Sequence, residues 1–479
     1  MPDDTNPRAR AIGALAELFF EEAVTSDDLA SLESRAIECG HGCMAEALAL
    51  ALEALDARLL SERPENLRVH DVRPRTLATE IGDVAFSIRR YRDAFGCDVY
   101  PLADVLDIPY GCRISPGAAE LLTLAATDMS YAKAARLLSR HGSSVKPTAV
   151  MGLVRQAGAL CAEEDGQAAR ALYADGVVPD AEGACEELSI EADGTYFRLQ
   201  HAPKGAPARV EVKAMVAYAG KRTEGGKVRR QGAVHHALVG RPEELWSEGV
   251  AAVGEKYDLG RLERVHLGSD GERWCRGAER YLPKGEVVFH LDPFHVNRAI
   301  LSCFADAKMA WSIVEALEDG DKREAIGLLE ACRDMGVARE KRAGQVIAYL
   351  KGNIDSIALG GPSLGTMESE NQHLYGCRMD SVPCAWSERG ASDMARLISR
   401  RASGRAIPKM TRERSCGQAR RRRREQRELA FYERKGGAGR MVESDGRGYL
   451  PPHQADTRKM ACGKAYALHK GMAMLDRRI

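Results

Sequence analysis

The order of apolar runs between residues 189 and 292 constrains this chain more than any other feature. Three strand-like runs come in succession, at 189–200, 210–218 and 235–239. A helical stretch at 242–256 follows, then a strand at 264–268, a helix at 272–281 and a strand at 286–291. β-Branched and aromatic residues fill the strands, with glycine, proline or aspartate at their ends. Three strands followed by alternating helix and strand predict an α+β fold with a five-strand mixed sheet and helices packed against it. Ligands of such sheets collect at the carboxyl ends of strands. There the sequence supplies acids: Asp193 inside the first run, Asp270 just after the fourth and Asp292 just after the fifth. Each alone reads as something plainer. Asp193-Gly194 and Asp270-Gly271 suit turns, and Asp292 before Pro293 suits a helix cap.

The flanks are mostly helical. Residues 10–62 space Ala45, Leu48, Leu52, Leu55 and Leu59 as two amphipathic helices would, ending before Pro64 and suited to packing or an oligomer contact. Residues 75–91 predict a hairpin turning at Gly82-Asp83, with Val84, Phe86 and Ile88 on one face. A helix opens at Ser115-Pro116, a second covers 130–138 and stops by Gly142, and a third runs from Lys146-Pro147-Thr148 to about Gly158. Short helix, turn, then a helix with polar and basic early positions is the layout of a helix-turn-helix. Residues 296–356 read as helix throughout, turning at Gly320, and a glycine-rich loop at 360–366 precedes a helix that holds Glu368 in its first turn. The resulting division is 1–65 (helices), 66–180 (hairpin and helix-turn-helix), 181–295 (first part of the core), 296–360 (helical insertion), 361–405 (last core helices) and 406–479 (a basic, partly disordered tail).

With 479 residues there is room for about three domains. No apolar run is long enough for a membrane span, and no leader is visible at the N-terminus. Thirteen cysteines without a regular framework fit reduced thiols in a cytoplasm, and Cys39 and Cys43 around His41 lack a second pair at zinc spacing. Charge balances at 69 basic against 69 acidic residues, but its distribution does not. Thirteen Lys/Arg between residues 396 and 427 face only Glu413 and Glu425, which predicts a basic segment for nucleic acid on an otherwise acidic chain.

Acids brought together from separate strands and a late helix repel one another unless cations neutralise them. Mg²⁺ suits an all-oxygen site that also holds phosphate, and a pair of ions about 4 Å apart can clamp an in-line displacement at phosphorus. The ordered set Glu191-Ala192-Asp193-Gly194, Ser269-Asp270-Gly271, Asp292-Pro293-Phe294-His295 and Gly365-Thr366-Met367-Glu368 resembles the DDE-type transposases with a ribonuclease-H-like core. The likeness is closest to the Mutator-like group and, within it, to the bacterial ISLre-type insertion-sequence transposases, long catalogued as an uncharacterised family. His373, Arg378-Met379, Trp386-Ser387 and Gly390-Ala391 extend it, and the family's helical insertion before its glutamate corresponds to 296–356. The resemblance covers residues 70–405.

It implies a metal-binding triad of Asp193, Asp270 and Glu368 holding Mg²⁺ or Mn²⁺, two per site, with Asp292 and His295 assisting. Glu370 is the rival of Glu368 and is expected to face solvent. The implied activity is metal-dependent cleavage and strand transfer of double-stranded DNA at terminal inverted repeats and a target, by a homo-oligomer in the bacterial cytoplasm, at the nucleoid. DNA contacts are expected from Lys133, Arg136, Lys146, Thr148 and Arg155 in the helix-turn-helix and from Arg420, Arg421, Arg422, Arg423 and Arg424. Trp274 and Trp386 suit core packing better than base stacking. Two other classes stay open: a ribonuclease-H-like nuclease without strand transfer, and a DNA-binding derivative that has lost catalysis.

Overall fold

A computed structural model describes residues 6–202, 205, 207–282, 285–357, 364–365, 367–380 and 384–434. The tail beyond 434 lies outside them, as does the glycine-rich loop at 360–366 except for Leu364 and Gly365. The chain divides into two units, residues 1–122, 132–150 and 409–479 in one and residues 123–131 and 151–408 in the other. No helix among the described residues is long and apolar enough to cross a membrane.

In the first unit α1 (Pro7–Thr25) and α2 (Leu29–Ser61) are started by Asn6 and Asp28, whose side chains accept from Arg8 and Ser31 N–H groups. Strands β1 (Arg68–Thr79) and β2 (Gly82–Arg92) pair as a hairpin, with the short β3 (Asp98–Val99) beside β2. The turn is Glu80-Ile81, two residues earlier than the sequence suggests, because Gly82 at φ +120° already pairs with Thr79. Val84, Phe86 and Ile88 alternate inward as expected and pack on Ala45 and Ala49 of α2 and on Leu102 of α3 (Pro101–Val105). Next along the chain come α4 (Pro116–Ala126), α5 (Tyr131–Ser139) and α6 (Pro147–Tyr173); the end of α4 and α6 from residue 151 on belong to the second unit. Helix α6 does not stop near Gly158: its apolar spacing continues for another four turns, with no proline to end it.

The second unit holds β4 (Glu187–Arg198), β5 (Arg209–Tyr218), β6 (Gly220–Glu224), β7 (Lys227–Gln231), β8 (Val234–Leu238), β9 (Arg264–Ser269) and β10 (Glu286–Leu291). Five of these make one mixed sheet in the order β10-β9-β4-β5-β8, while β6 and β7 form a separate hairpin beyond the five expected strands. Strands β10, β9 and β4 run parallel, and β5 and β8 are antiparallel additions. Helix α7 (Pro242–Lys256) lays Leu245, Trp246, Val250 and Val253 on the sheet, against Leu188, Ile190, Met215 and Leu267. Burying such side chains stabilises the fold by about 1.5–3 kcal/mol each. The stretch expected at 272–281 splits into α8 (Arg273–Arg276) and a 3₁₀ turn, Gly277–Arg280.

The insertion is four helices, with more breaks than the one expected at Gly320: α9 (Pro293–Leu301), α10 (Lys308–Glu318), α11 (Lys322–Asp334) and α12 (Glu340–Gly352), around a core of their own. The breaks fall after Leu301, at Gly320 and at Gly336, the last two with left-handed φ values of +100° and +70°. The chain returns through α13 (Met367–Glu370), a π-helical turn (Asn371–Gly376), α14 (Cys377–Met379) and α15 (Glu388–Ala402). Helix α16 (Gln418–Arg434), in the first unit, carries the arginine run. Residues 418–434 are therefore helical, in a region expected to be partly disordered.

The basic segment is less available than its count implies. Arg396, Arg400 and Arg412 are buried. Arg405, Lys409 and Arg412 pair with Glu255, Glu120 and Asp104, and the Arg412 guanidinium lies 3.9 Å from the centre of the Tyr110 ring. A linear count of cations cannot see the acids that folding sets against them.

Candidate metal centre

The parallel strands set their acids level. Glu191 of β4 sits opposite Gly268 of β9, and Leu291 of β10 opposite Ser269. Two residues beyond Glu191 comes Asp193, two beyond Gly268 comes Asp270, and one beyond Leu291 comes Asp292. Asp193, mid-strand in β4, thus stands level with the aspartates that follow the ends of β9 and β10. Asp193-Gly194 makes no turn, since both residues stay in the ladder with β5, opposite Ala214 and Lys213. Asp292 does cap α9, its Oδ1 accepting from the Phe294 N–H at 2.8 Å.

One carboxylate oxygen each from Asp193 and Glu368 and one ring nitrogen of His295 lie within 4.8 Å of one another. Asp270 falls outside that span, its Oδ1 accepting from the Glu272 N–H at 3.0 Å, yet its charge is felt at Asp193. His295 Nε2 lies 3.9 Å from Asp292 Oδ2. Of the five predicted site residues, the fold joins Asp193, Glu368 and His295 most closely, sets Asp292 behind the histidine, and leaves Asp270 at the rim.

Asp193 is buried, and that burial pushes its carboxyl up to about 7. His295 and the Gly194 N–H pull it down, while Asp270 and Glu368 push it further up. Burial likewise raises Asp292. Burial outweighs the pull of His295, so the carboxylate is left under-compensated. Two carboxylates and an imidazole are a donor set that a hard divalent ion such as Mg²⁺ or Mn²⁺ fits, with the nitrogen leaning toward Mn²⁺. Asn371, first residue of the π-helical turn, donates from Nδ2 to Asp193 Oδ2 at 2.8 Å and fixes the carboxylate's orientation.

Two further acids were misread or missed. Glu370 does not face solvent: Arg230 pairs with it, and His235 Nε2 lies 3.0 Å from its Oε2. Burial, helped by Arg230, pushes His235 down to about 4, so the ring is neutral and donates. Glu191 is buried, accepting from Tyr218 Oη at 2.5 Å and from the Gly365 N–H at 2.8 Å. It thereby ties the segment leading to Glu368 onto β4. Gly365 has φ +101°, and a Cβ there would lie 3.1 Å from Asp292 Oδ1, so only glycine fits without displacing that acid. The cue to Glu191 was its position two residues before Asp193, on the same face of the strand.

A second set of donors exists. Asp165, His236 and Glu248 also bring ligand atoms within 4.8 Å of one another, all buried. Arg396 Nη1 lies 3.1 Å from Asp165 and 2.5 Å from Glu248, and Arg400 Nη2 lies 2.7 Å from Asp165. Guanidinium groups already supply the positive charge there.

The profile of an uncharacterised protein family, UPF0236, matches residues 26–415. The chain belongs to the UPF0236 family. A UPF0236 protein of Caldanaerobacter subterraneus subsp. tengcongensis, whose name joins eleven locus designations, is 23% identical over 372 residues, 74% of this chain and 73% of that protein. Another, from Streptococcus gallolyticus and named for its place in the vanSb 3′ region, is 25% identical over 397 residues, covering 79% and 84%. All the acids above lie within the stretch matched to UPF0236. Of the residues expected on DNA, Lys133, Arg136, Lys146, Thr148 and Arg155 lie inside it and are exposed. Arg420, Arg421, Arg422, Arg423 and Arg424 lie beyond it, exposed on α16, with Arg420 over the Tyr110 ring and Arg424 paired with Glu428.

Proposed function

We propose that this UPF0236 protein is the transposase of a bacterial insertion sequence, binding terminal inverted repeats and cutting and joining DNA strands at the Asp193 site. The observation that carries the reading is the meeting of Asp193, Glu368 and His295, with Asp270 and Asp292 at the ends of β9 and β10 level with Asp193 and the pull of His295 on that carboxyl outweighed by burial. The sheet supports it too. Numbering β4, β5, β8, β9 and β10 as one to five, the order is 5-4-1-2-3 with strands four and five parallel to strand one, which is compatible with the ribonuclease-H-like core that this reading expects. A relative's name that joins eleven loci of one organism is what an element that multiplies itself would leave.

Asp193 and Glu368 would hold Mg²⁺ or Mn²⁺, one or two ions, with His295 or Asp270 completing the set. When bound, the ion supplies positive charge to the reacting phosphodiester and acidifies the attacking hydroxyl. The protein's own groups do the rest. Asn371 orients the Asp193 carboxylate, Glu191 holds the Glu368 segment against the sheet, and Asp292 faces the His295 ring and sets its tilt.

The test is cutting, with Mn²⁺, of a duplex carrying the DNA that flanks the coding sequence. Asp193→Asn and Glu368→Gln should each abolish cutting; normal cutting by either would overturn the site. A joined product separates a transposase from a nuclease that only hydrolyses. Inverted repeats with short target duplications around the gene are the matching genomic observation.

A further inference from the structure

The β6–β7 hairpin leaves the sheet between β5 and β8 and turns at Gly225-Gly226, whose φ values are +56° and +75°. Its ladder is unusual in charge. Lys221 stands directly opposite Arg230, and Arg222 directly opposite Arg229. Like charges on facing residues destabilise a pair of strands, and a two-stranded hairpin alone is marginal. Something other than its own rungs must therefore reward this arrangement.

Successive rungs point to opposite faces of the ribbon. The Lys221–Arg230 face is anchored at the acid site. Arg230 pairs with Glu370, two residues after Glu368, and both cations lie over the Tyr218 ring, at 5.5 and 6.0 Å from its centre. Tyr218 in turn binds Glu191. The Arg222–Arg229 face is exposed. Arg222 has a 3.5 Å pair with Glu224, itself exposed, and Arg229 has no acidic partner among the described residues.

Resting on the DNA-cutting reading above, we infer that β6–β7 is a basic arm whose Arg222–Arg229 face grips the phosphodiester backbone of duplex DNA and whose inner face fixes that grip relative to Glu368. Two guanidiniums side by side on an exposed rung suit phosphate oxygens, and the contact would be indifferent to sequence. The arm's root on Glu370 ties the position of the bound backbone to the helix that carries Glu368.

The probe is a fluorescein-labelled 30-base-pair duplex of arbitrary sequence, bound in EDTA so that no cutting occurs, with anisotropy followed across a KCl series. Losing two phosphate contacts should lower the slope of log affinity against log salt by about two and weaken binding by about tenfold or more at moderate salt. That is the result expected for Arg222→Gln/Arg229→Gln. An unchanged slope overturns the inference. So does an equal loss in Arg323→Gln/Lys341→Gln, which removes the same charge from exposed positions of the insertion, and so does tighter binding of polyglutamate than of the duplex. Failure of the two proposals is distinguishable. Wild type that binds through the arm but never cuts sinks the activity alone, and wild type that cuts with an arm-independent slope sinks the arm alone.

Discussion

Asp193 with His295 and Glu368, and Asp165 with His236 and Glu248, are the same three residue types held within the same 4.8 Å span. They differ in burial, the first set holding a half-buried His295 and an exposed Glu368 where the second is wholly buried, and in their counter-charges. Burial alone would raise Asp165, but His236, Arg400 and Arg405 more than reverse it and leave the carboxyl lowered. Glu248 is lowered in the same way, against its burial, by His236 and Arg396. At Asp193 burial prevails and neighbouring acids add to it. Donor spacing therefore does not identify a metal site; the sign of the residual charge does. One cluster is complete as an ion-pair network that ties α6, α7 and α15 together, and the other is left short of positive charge where a cation and a phosphate could supply and use it.

The largest expected effect belongs to the completed cluster. Arg396→Ala leaves Asp165 and Glu248 facing one another with a guanidinium gone, and removing one partner of a buried pair costs about 3–5 kcal/mol. Urea unfolding should register that loss, and a stable Arg396→Ala protein would mean that the network does not hold this unit together. At the incomplete cluster the order reverses. Asp193→Asn should leave unfolding in EDTA unchanged or slightly improved, because it neutralises a buried and uncompensated carboxylate. It should nevertheless reduce cutting by more than the roughly 10–100-fold that loss of an outer-shell partner costs at a metal site.

Metal addition sharpens the contrast further. At free Mn²⁺ near a hundred times its dissociation constant, wild type should gain about 2.7 kcal/mol. A thermal melt would show this as a rise of several degrees. Asp193→Asn and Glu368→Gln should lose the rise, and Asp165→Asn, whatever its own melting point, should keep it. A rise abolished by Asp165→Asn instead would exchange the roles of the two clusters.

What the sequence made legible follows from how local each signal is. Helix α7 and strand β10 were read to the residue, since Pro242 and Asp292-Pro293 punctuate them chemically. The run of α6 past Gly158 was not, because a glycine inside a helix looks like a stop. Its reason is tertiary, as a Cβ there would strike Asp393 at 2.4 Å. The β6–β7 hairpin escaped notice because its strands are charged rather than apolar, although Gly225-Gly226 was a fair turn signal. At the site, the order of the acids pointed to Asp193 and Glu368. The partners of Glu370 and the reach of His295 depend on residues up to 140 positions away in the chain, and no spacing rule reports those.

Asp393 is an intermediate case, and it yields the smallest effect. It is buried on α15 beneath the backbone of α6, one of its oxygens has no hydrogen-bond partner, and its nearest cation is Arg389, at 3.8 Å and largely exposed. Burial pushes its carboxyl up to about 6, against the pull of Arg389, Arg396 and Arg155. Like Asp193 it is raised by burial against the pull of nearby cations, but it belongs to no group of three such donors among the described residues that could hold a metal ion to offset the cost. Because the folded value lies above the unfolded one, the folded chain holds the proton more tightly. The penalty is absent below about pH 4, grows as pH rises toward 6, and is complete above about 7. Asp393→Asn should therefore stabilise the protein by about 1–2 kcal/mol at pH 8, after relaxation trims the roughly 3 kcal/mol that two pKa units imply, and by nothing at pH 4. Urea midpoints at the two pH values measure it. A gain of equal size at both would mean that packing against Gly158, rather than charge, sets the cost of this carboxylate.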